Sequence, residues 1–347
     1  MDNVMGDGEI GMAAELRAAP EAVRRQTQDL SQPLSELIAW CRRNPPDLVI
    51  TCARGSSAHA ATFGKHLIER HLGIPVAAAA PNIATVYRRR LRLKGQLLLT
   101  ISQSGRSDDL TEFAVMAKAA GALTAAIVND TDSPVAAASD IVLPMAAGPE
   151  LSVAATKSFV ASLAVLLRFI AGWTGDQAMG AAVDRLPDRL LASTALDWSL
   201  ALGALATASS LITIGRGPTL AIAREAALKL KETSNLHAEA FSGAEFQHGP
   251  VALVAPLYPM VLFMPTDEAA SGLHDLAADL RSKGAVLFTA EHGEEVAGRL
   301  PALRPDHPDT DAVCLIQNFY ALAVSVAARR GTDVDRPRHL QKVTRTR

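Results

Sequence analysis

The chain has 347 residues and a formal net charge of −2 at pH 7. This length allows one large domain or two medium domains, and the charge gives no reason to expect a nucleic-acid surface. Cys41, Cys52 and Cys314 are odd in number and lack C-x-x-C spacing, so we expect reduced, buried thiols and a cytoplasmic location.

The N-terminal region is predicted to be a helical lead-in over residues 1–45. Its first residues, "MDNVMGDGEI", lack the apolar stretch of a signal peptide, and Pro20 interrupts the helical pattern of "AELRAAPEAVRRQ". The longest apolar run, "FVASLAVLLRFIAGW", contains Arg168 and is too short to span a bilayer comfortably. It therefore predicts a buried helix, and we expect no membrane partner.

The chain contains two similar halves. "LVITCARGSSAHAATFGKHL" and "SLITIGRGPTLAIAREAALKL" share an apolar strand, an Arg-Gly pair and a helical pattern, and Gly121 and Gly284 follow matching helices. Short apolar runs alternate with alanine-rich helices in both halves. This pattern predicts an α/β fold with two tandem, doubly wound parallel sheets, each in a three-layer α/β/α arrangement. We expect the first domain at 46–171, a helical linker at 172–203, the second domain at 204–330 and a tail at 331–347.

Two turns of the first half are rich in serine. "ARGSSAH" follows the first strand, and "TISQSGRSDD" contains the turn that follows a later one. Glycine lets backbone N–H groups converge, hydroxyls add donors and the next helix offers its positive end, so these turns predict a phosphate site. We call its residues the phosphate cradle: Gly55, Ser56, Ser57, Ser102, Ser104, Gly105 and Ser107.

Other interpretations of these turns stay open at this point. Each turn alone could be a helix N-cap with ordinary turn chemistry. The matching turns of the second half, "GRGPTLA" and "LFMPTDEA", have lost most of the serines, so only one cradle is expected. A dinucleotide cofactor is not expected, because neither half carries a complete G-x-G-x-x-G motif.

The stretch "ALKLKETSNLHAEAFSGAEFQHGP" gathers acids and bases after the second Arg-Gly pair. Lys229 and Glu232 are three residues apart and share a helix face. They could form a surface ion pair, with His237 and His248 as incidental loop residues, or a proton-transfer site. We expect no metal, because no P-C-x-x-C follows "HAE" and no H-E-x-x-H is present.

Five segments together resemble the sugar isomerase (SIS) domain family. They are "TCARGSS", "TISQSGRSDD", "GPELSVAATKSFV", "REAALKLKETSNLHAEAFSGAEFQHGP" and "DVDRPRHLQKVT". The resemblance is strongest to the isomerase half of the glutamine–fructose-6-phosphate aminotransferases, and it runs from about residue 45 to the C-terminus. It implies that the sugar is lined by Val153 and its neighbours, including Ala155, and that a sugar phosphate is held by Ser57, Ser102, Gln103, Ser104 and Ser107.

The resemblance also implies catalytic roles for four residues. Glu232 matches the base that moves a proton between C1 and C2 of the sugar, and Lys229 matches the lysine beside it. His248 matches a ring-opening residue that the partner subunit of a homodimer contributes. Lys342 matches a lysine that forms an imine with the open-chain ketose. General acid–base help of this kind contributes roughly 10²–10⁴-fold per group, and an imine provides an electron sink.

The sequence departs from the family in three ways. The aminotransferases carry an N-terminal glutaminase that starts with cysteine, whereas here Asp2 follows Met1, so we expect no use of glutamine as the ammonia source. Ala155 replaces a serine and Arg106 replaces an acidic residue, which puts the exact sugar in question.

We expect a deaminase that interconverts glucosamine 6-phosphate with fructose 6-phosphate and ammonia. The alternatives are a phosphorylated fructosamine deglycase, a galactosamine-6-phosphate deaminase and a non-catalytic sugar-phosphate sensor.

Overall fold

The computed structural model describes residues 11–342. The predicted lead-in is therefore described from Gly11 and the predicted tail as far as Lys342. Residues 1–10, which were predicted not to be a signal peptide, and residues 343–347 of the predicted tail lie outside the described part.

Three helices precede the first sheet: α1 (Met12–Arg17), α2 (Ala19–Asp29) and α3 (Ser31–Arg43). Pro20 lies in the first turn of α2, where a missing backbone N–H breaks no helical hydrogen bond. The buried amide of Gln26 donates to the backbone carbonyls of Met145 and Ala161, both at 2.8 Å. These bonds attach α2 to the first domain.

The first domain contains a five-stranded parallel sheet in the order β2-β1-β3-β4-β5. All six residues of β3 are buried, as expected for a strand with helices on both faces of its sheet. The strands are β1 (Val49–Ala53), β2 (Val76–Ala78), β3 (Leu97–Ser102), β4 (Leu123–Val128) and β5 (Ile141–Pro144). The helices are α4 (Gly55–Leu72), α5 (Asn82–Thr85), α6 (Asp108–Ala119), α7 (Pro134–Ala137) and α8 (Lys157–Thr174).

The second domain repeats this topology after two connecting helices, α9 (Gln177–Ser193) and α10 (Ser199–Thr207). Its strands are β6 (Ser210–Gly215), β7 (His237–Ser242), β8 (Pro259–Phe263), β9 (Val286–Glu291) and β10 (Arg299–Pro301). The order β10-β9-β8-β6-β7 is the first sheet's order read from the other edge. The helices are α11 (Thr219–Ser234), α12 (Gly243–Gln247), a 3₁₀ turn (Pro250–Leu253), α13 (Ala270–Ser282) and α14 (Pro308–Arg329).

The predicted fold class is confirmed, because each parallel sheet is flanked by helices. Gly121 and Gly284 have φ values of 87° and 84° and follow α6 and α13, so the two glycines end equivalent helices in the two halves.

Cys41, Cys52 and Cys314 are free and buried, as predicted, and burial raises the pKa of each thiol to about 12.

Among the described residues, α8 and α14 are long and apolar enough to cross a membrane by length and composition alone. Most of each helix is buried inside the protein, as in the core helices of soluble folds. The apolar run that predicted a buried helix forms most of α8, so that prediction is confirmed.

Candidate functional site

A cavity of about 380 Å³ lies at the carboxyl ends of β1 and β3. In open α/β sheets this edge is where ligands bind. Glu232 on α11 of the second domain and the C-terminal segment 340–342 complete its walls. The lining residues are Arg54, Gly55, Ser56, Ser57, Ile101, Ser102, Gln103, Ser104, Ser107, Leu110, Val153, Ala155, Glu232, Leu340, Gln341 and Lys342.

The serine loop after β3 is shaped by a glycine and two of its own hydroxyls. Gly105 has a φ of 61°, and a side chain at this position would overlap Ser133, so only glycine fits. Ser102 Oγ accepts a hydrogen bond from the backbone N–H of Gly105 at 3.1 Å. Ser104 Oγ accepts from the N–H of Arg106 at 3.3 Å. The loop is therefore a tight turn whose hydroxyls lie at the rim of the cavity.

Ser107 is the N-cap residue of α6, but its side chain makes no capping hydrogen bond. Ser107 is instead one of the residues that line the cavity. The simple capping interpretation therefore does not account for this serine. The first turn of α6 also carries Asp108 and Asp109, and Asp109 is bound to an arginine of the other cradle turn.

That arginine is Arg54, which the sequence analysis used only to align the two halves. Its Nε and Nη2 donate to Asp109 Oδ2 at 3.0 and 2.7 Å. Asp109 is buried, and Arg54 is about half exposed at the cavity wall. The pair fixes the turn after β1 against the start of α6, so the two serine-rich turns are held at one place.

Lys229 does not form the surface ion pair that was one of the sequence interpretations. Its side chain is fully buried, with Nζ 3.3 Å from Glu225 Oε1 and in contact with Glu232. Burial alone would lower the pKa of Lys229, but the two carboxylates raise it above the usual 10.5. The lysine therefore stays charged, and it holds the carboxylate of Glu232 at the cavity.

Glu225 is a buried carboxylate that the sequence analysis missed. It accepts hydrogen bonds from Ser56 Oγ at 2.9 Å and Tyr320 Oη at 3.3 Å, and it lies 2.8 Å from His59 Nδ1. Burial would raise the pKa of Glu225, but Lys229 and then His59 and Ser56 lower it below its usual value. Ser56 and His59 belong to α4, which begins in the phosphate cradle. Glu225 therefore connects α4 to α11, the helix that carries Glu232. The spacing of Glu225, Lys229 and Glu232 along one helix face was the signal available in the sequence.

Lys342 reaches the cavity from the C-terminal segment. Its Nζ donates to Glu150 Oε2 at 3.1 Å and to the carbonyl of Ser152 at 2.7 Å. Glu150 is also bound by the hydroxyl of Ser158 at 2.6 Å. Burial would raise the pKa of Glu150, but Lys342 and the hydrogen bonds from Ser158 and Thr156 lower it. The amine is thus held beside the segment that contains Val153 and Ala155.

Asp335 anchors the same C-terminal segment. It accepts hydrogen bonds from Ser152 Oγ at 2.9 Å and from the backbone N–H of Met12 at 2.6 Å. The segment "DVDRPRHLQKVT" indicated the family resemblance but predicted no role for Asp335. Its contacts show why the tail lies across the cavity.

His248 is the one predicted site residue that lies away from this group. It is exposed at the end of α12 and does not line the cavity of its own chain. Within residues 11–342, no group of three or more His, Cys, Asp or Glu side chains is arranged to hold a metal ion.

Comparison with known proteins agrees with the sequence resemblance. Residues 46–171 and 204–299 match the SIS domain model. Over 316 residues the chain is 36% identical to glutamine–fructose-6-phosphate aminotransferase of Symbiobacterium thermophilum, covering 85% of this chain and 51% of that protein. The chain therefore spans about half the length of the curated relatives it matches.

Two solved structures share the whole architecture. A candidate phosphosugar isomerase from Silicibacter pomeroyi DSS-3 is 41% identical, with a TM-score of 0.89, covering 94% of this chain and 100% of that one. The C-terminal domain of glucosamine-fructose-6-phosphate aminotransferase from Francisella tularensis is 26% identical, with a TM-score of 0.84, covering 96% of this chain and 100% of that one. The chain belongs to the SIS domain family of sugar-phosphate isomerases.

Proposed function

We propose that this protein interconverts glucosamine 6-phosphate and water with fructose 6-phosphate and ammonia. The observation that carries the proposal is that the cradle serines, Glu232 and Lys342 line one cavity. Its volume of about 380 Å³ falls within the range of small-molecule sites. The relatives named as aminotransferases act at the same sugar phosphate, which supports the choice of substrate class.

In this proposal the phosphate of the sugar occupies the cradle. Hydroxyls and converging backbone N–H groups suit a dianion at the start of a helix. Each bond to a charged oxygen contributes roughly 1.5–3 kcal/mol. A few such bonds are sufficient for micromolar binding, about −8 kcal/mol, after the costs of association.

Glu232 is the proposed base. In the deaminating direction it removes the proton from C2 of the open-chain amino sugar and returns a proton to C1, which leaves an imine at C2. The amine of Lys342 then replaces ammonia at this imine, ammonia leaves, and water hydrolyses the Lys342 imine to release fructose 6-phosphate and the free lysine. The buried Lys229 keeps the Glu232 carboxylate at the cavity. A small rotation of this carboxylate is then sufficient for it to reach both C1 and C2.

Lys342 is the proposed imine-forming amine. To attack the C2 carbonyl of fructose 6-phosphate, its nitrogen must leave Glu150 and the carbonyl of Ser152 and lose a proton. The new C–N bond forms as the carbonyl oxygen departs as water. Ammonia then displaces Lys342 from C2, which frees the lysine and leaves the C2 imine of the sugar. The adjacent C1–H bond is easier to break because an imine accepts the electron pair.

We further propose that His248 opens the sugar ring in the cavity of a partner subunit. Its exposure and its position outside the cavity of its own chain support this arrangement. The active unit would then be a homodimer with shared sites.

Of the two sugar-related departures from the family, only Ala155 lines the cavity. Arg106 is exposed and binds Asp130 at 2.7 Å, outside the lining residues. The methyl side chain of Ala155 offers no hydrogen bond to a sugar hydroxyl, so the identity of the sugar is the part of the proposal that most needs a test.

The test is a substrate panel with the purified protein. Glucosamine 6-phosphate, galactosamine 6-phosphate, N-acetylglucosamine 6-phosphate and a 6-phosphorylated fructosamine are incubated separately, and ketose phosphate and ammonia are measured. We expect fructose 6-phosphate and ammonia in equal amounts from glucosamine 6-phosphate. If another compound is turned over faster, that compound and not glucosamine 6-phosphate is the substrate. If a compound stabilises the protein against unfolding but none is turned over, the protein is a sugar-phosphate sensor and not an enzyme.

A further inference from the structure

The charged side chains of Glu225, Lys229 and Glu232 form a network on one face of α11, and this network has a neighbour on α4, His59. His59 Nδ1 lies 2.8 Å from Glu225 Oε2. The side chain of His59 is 20% exposed, whereas that of Glu225 is fully buried. His59 does not line the cavity at the carboxyl ends of β1 and β3, so any effect on the chemistry there has to pass through its neighbours.

The two oxygens of the Glu225 carboxylate have different partners. Oε1 accepts hydrogen bonds from Ser56 and Tyr320 and lies 3.3 Å from Lys229 Nζ. Among residues 11–342, only His59 is hydrogen-bonded to Oε2. Burial would raise the pKa of Glu225, but Lys229, His59 and Ser56 lower it, so the carboxylate is charged. A charged carboxylate only accepts hydrogen bonds, and His59 Nδ1 is therefore the donor.

Lys229 serves two carboxylates with one positive charge. Its Nζ lies 3.3 Å from Glu225 Oε1 and contacts Glu232, which lines the cavity. The hydrogen bond from His59 offsets part of the negative charge of Glu225, and it thereby weakens the attraction of Glu225 for Lys229. Without this bond, Oε2 would be a buried charged atom lacking a partner, and Lys229 is the cation beside it.

We propose that His59 is a positioning residue for the proton transfer by Glu232. Its hydrogen bond to Glu225 leaves Lys229 free to hold Glu232, so the Glu232 carboxylate stays where it reaches C1 and C2 of the sugar. Loss of this hydrogen bond moves Lys229 toward Glu225 and releases Glu232. The proposal rests on the proposed function for the reaction at C1 and C2, whereas the position of Lys229 can be measured without any turnover.

Two variants separate the hydrogen bond from the shape of the side chain. His59→Leu and His59→Asn both introduce a side chain that branches at Cγ, but only asparagine can place an N–H donor near the position of Nδ1. An effect of the hydrogen bond therefore appears in His59→Leu and is reversed in His59→Asn.

His71→Leu is the matched control. His71 lies on the same helix, about 18 Å from His59 at a rise of 1.5 Å per residue. Its Nε2 lies 2.8 Å from Asp309 Oδ2, and the two side chains are 20% and 0% exposed, as in the pair of His59 and Glu225. Neither His71 nor Asp309 lines the cavity. This variant removes an equivalent pair, so it reproduces any loss that comes from destabilisation alone.

The kinetic test is hydrogen exchange at C1 of fructose 6-phosphate in D₂O, catalysed by the full chain. We expect His59→Leu to lower the maximal exchange rate about 10- to 100-fold. The dissociation constant of fructose 6-phosphate should stay unchanged, because the residues that line the cavity are intact. His59→Asn should recover most of the rate, and His71→Leu should exchange at the wild-type rate. His59→Ala takes the place of His59→Leu if that variant does not fold. A rate loss of the same size in His71→Leu, or no loss in His59→Leu, would overturn the proposal.

Crystal structures of the same variants test the position of Lys229 independently of activity. We expect its Nζ to stay within hydrogen-bonding distance of Glu232 in the wild-type protein, in His59→Asn and in His71→Leu, and to lose this contact in His59→Leu. An unchanged contact in His59→Leu would contradict the proposal at any level of activity. If the wild-type protein exchanges no C1 hydrogen, the proposed function fails, and the crystal structures alone decide whether His59 positions Glu232.

Discussion

At the residue scale, the second domain contains a hydroxyl at the position that matches a serine of the phosphate cradle, and this hydroxyl can serve as a control. Ser104 lies in the loop after β3 and lines the cavity at the carboxyl ends of β1 and β3. Thr266 lies in the matching loop after β8, where its hydroxyl donates to Asp311. The two hydroxyls therefore have similar positions in their domains and different surroundings.

We expect Ser104→Ala to weaken fructose 6-phosphate binding roughly 10- to 100-fold, because one hydrogen bond to the charged phosphate is lost. Thr266→Ala should leave that affinity unchanged. Isothermal titration calorimetry measures both, with circular dichroism as the check on folding. Equal losses in the two variants would show that the phosphate does not lie in the first domain's cradle.

At the element scale, the packing of α4 against α11 determines the position of Glu232 relative to the phosphate cradle. Glu225 and Lys229 are both fully buried between these helices, and their charges are balanced by each other and by neighbours. Removing one member of such a group leaves a buried charge without compensation, which is far more costly than losing a surface pair.

Lys229→Met should therefore lower the free energy of unfolding by about 3–5 kcal/mol. Lys283→Met is the control, because its partner Asp279 is largely exposed, and it should cost less than about 1 kcal/mol. Adding Glu225→Gln to Lys229→Met should recover part of the loss. Urea unfolding provides the measurement, and similar costs for the two lysine variants would contradict a buried charge network.

Most elements could be predicted from the sequence because their signals are local. The buried strands are continuous apolar runs, and the repeated Arg-Gly pair and helix-ending glycine revealed the duplication. The partners of Glu225 could not be predicted, because Ser56 and His59 meet it only when α4 and α11 pack together. Asp335 was missed for the same reason, since it binds Ser152 and Met12 across the folded chain.

At the scale of the whole molecule, two buried carboxylates contribute to the loss of stability in acid. The pKa values of Glu150 and Glu225 lie below the usual 4.5 in the folded protein. Burial raises them, but each lysine, Lys342 or Lys229, together with the hydrogen bonds to the carboxylate outweighs the effect of burial. As the pH falls, the unfolded chain takes up protons first. Their stabilisation is therefore complete above pH 4.5 and is lost as the pH falls through the lower folded values.

We expect the free energy of unfolding to decrease steeply as the pH falls from about 4.5 toward 3. Glu150→Gln should show a shallower decrease, because one of the groups with a lowered pKa no longer titrates. Urea unfolding at a series of pH values tests this, and a stability that rises or stays constant over that range would contradict the assignment.

The proposed homodimer makes a separate prediction about mixed subunits. Glu232→Gln and His248→Asn should each be nearly inactive, but hybrid dimers would contain one cavity with both residues intact. Co-expression at equal levels should restore about a quarter of the wild-type activity. Glu232→Gln with Lys342→Ala is the control, because both residues belong to the cavity of one chain and no hybrid site is intact. If the first mixture is as inactive as the control, His248 does not act across subunits.

The most direct test of the central claim is hydrogen exchange at C1 of fructose 6-phosphate in D₂O, followed by NMR with and without ammonium. We expect the wild-type protein to replace a C1 hydrogen with deuterium. Glu232→Gln should slow this exchange roughly 10²–10⁴-fold while still binding the sugar phosphate. Glu36→Gln, an exposed carboxylate on α3, should exchange at the wild-type rate. Exchange at an unchanged rate in Glu232→Gln, or no exchange by the wild-type protein, would contradict the claim that this carboxylate moves the proton in the cavity.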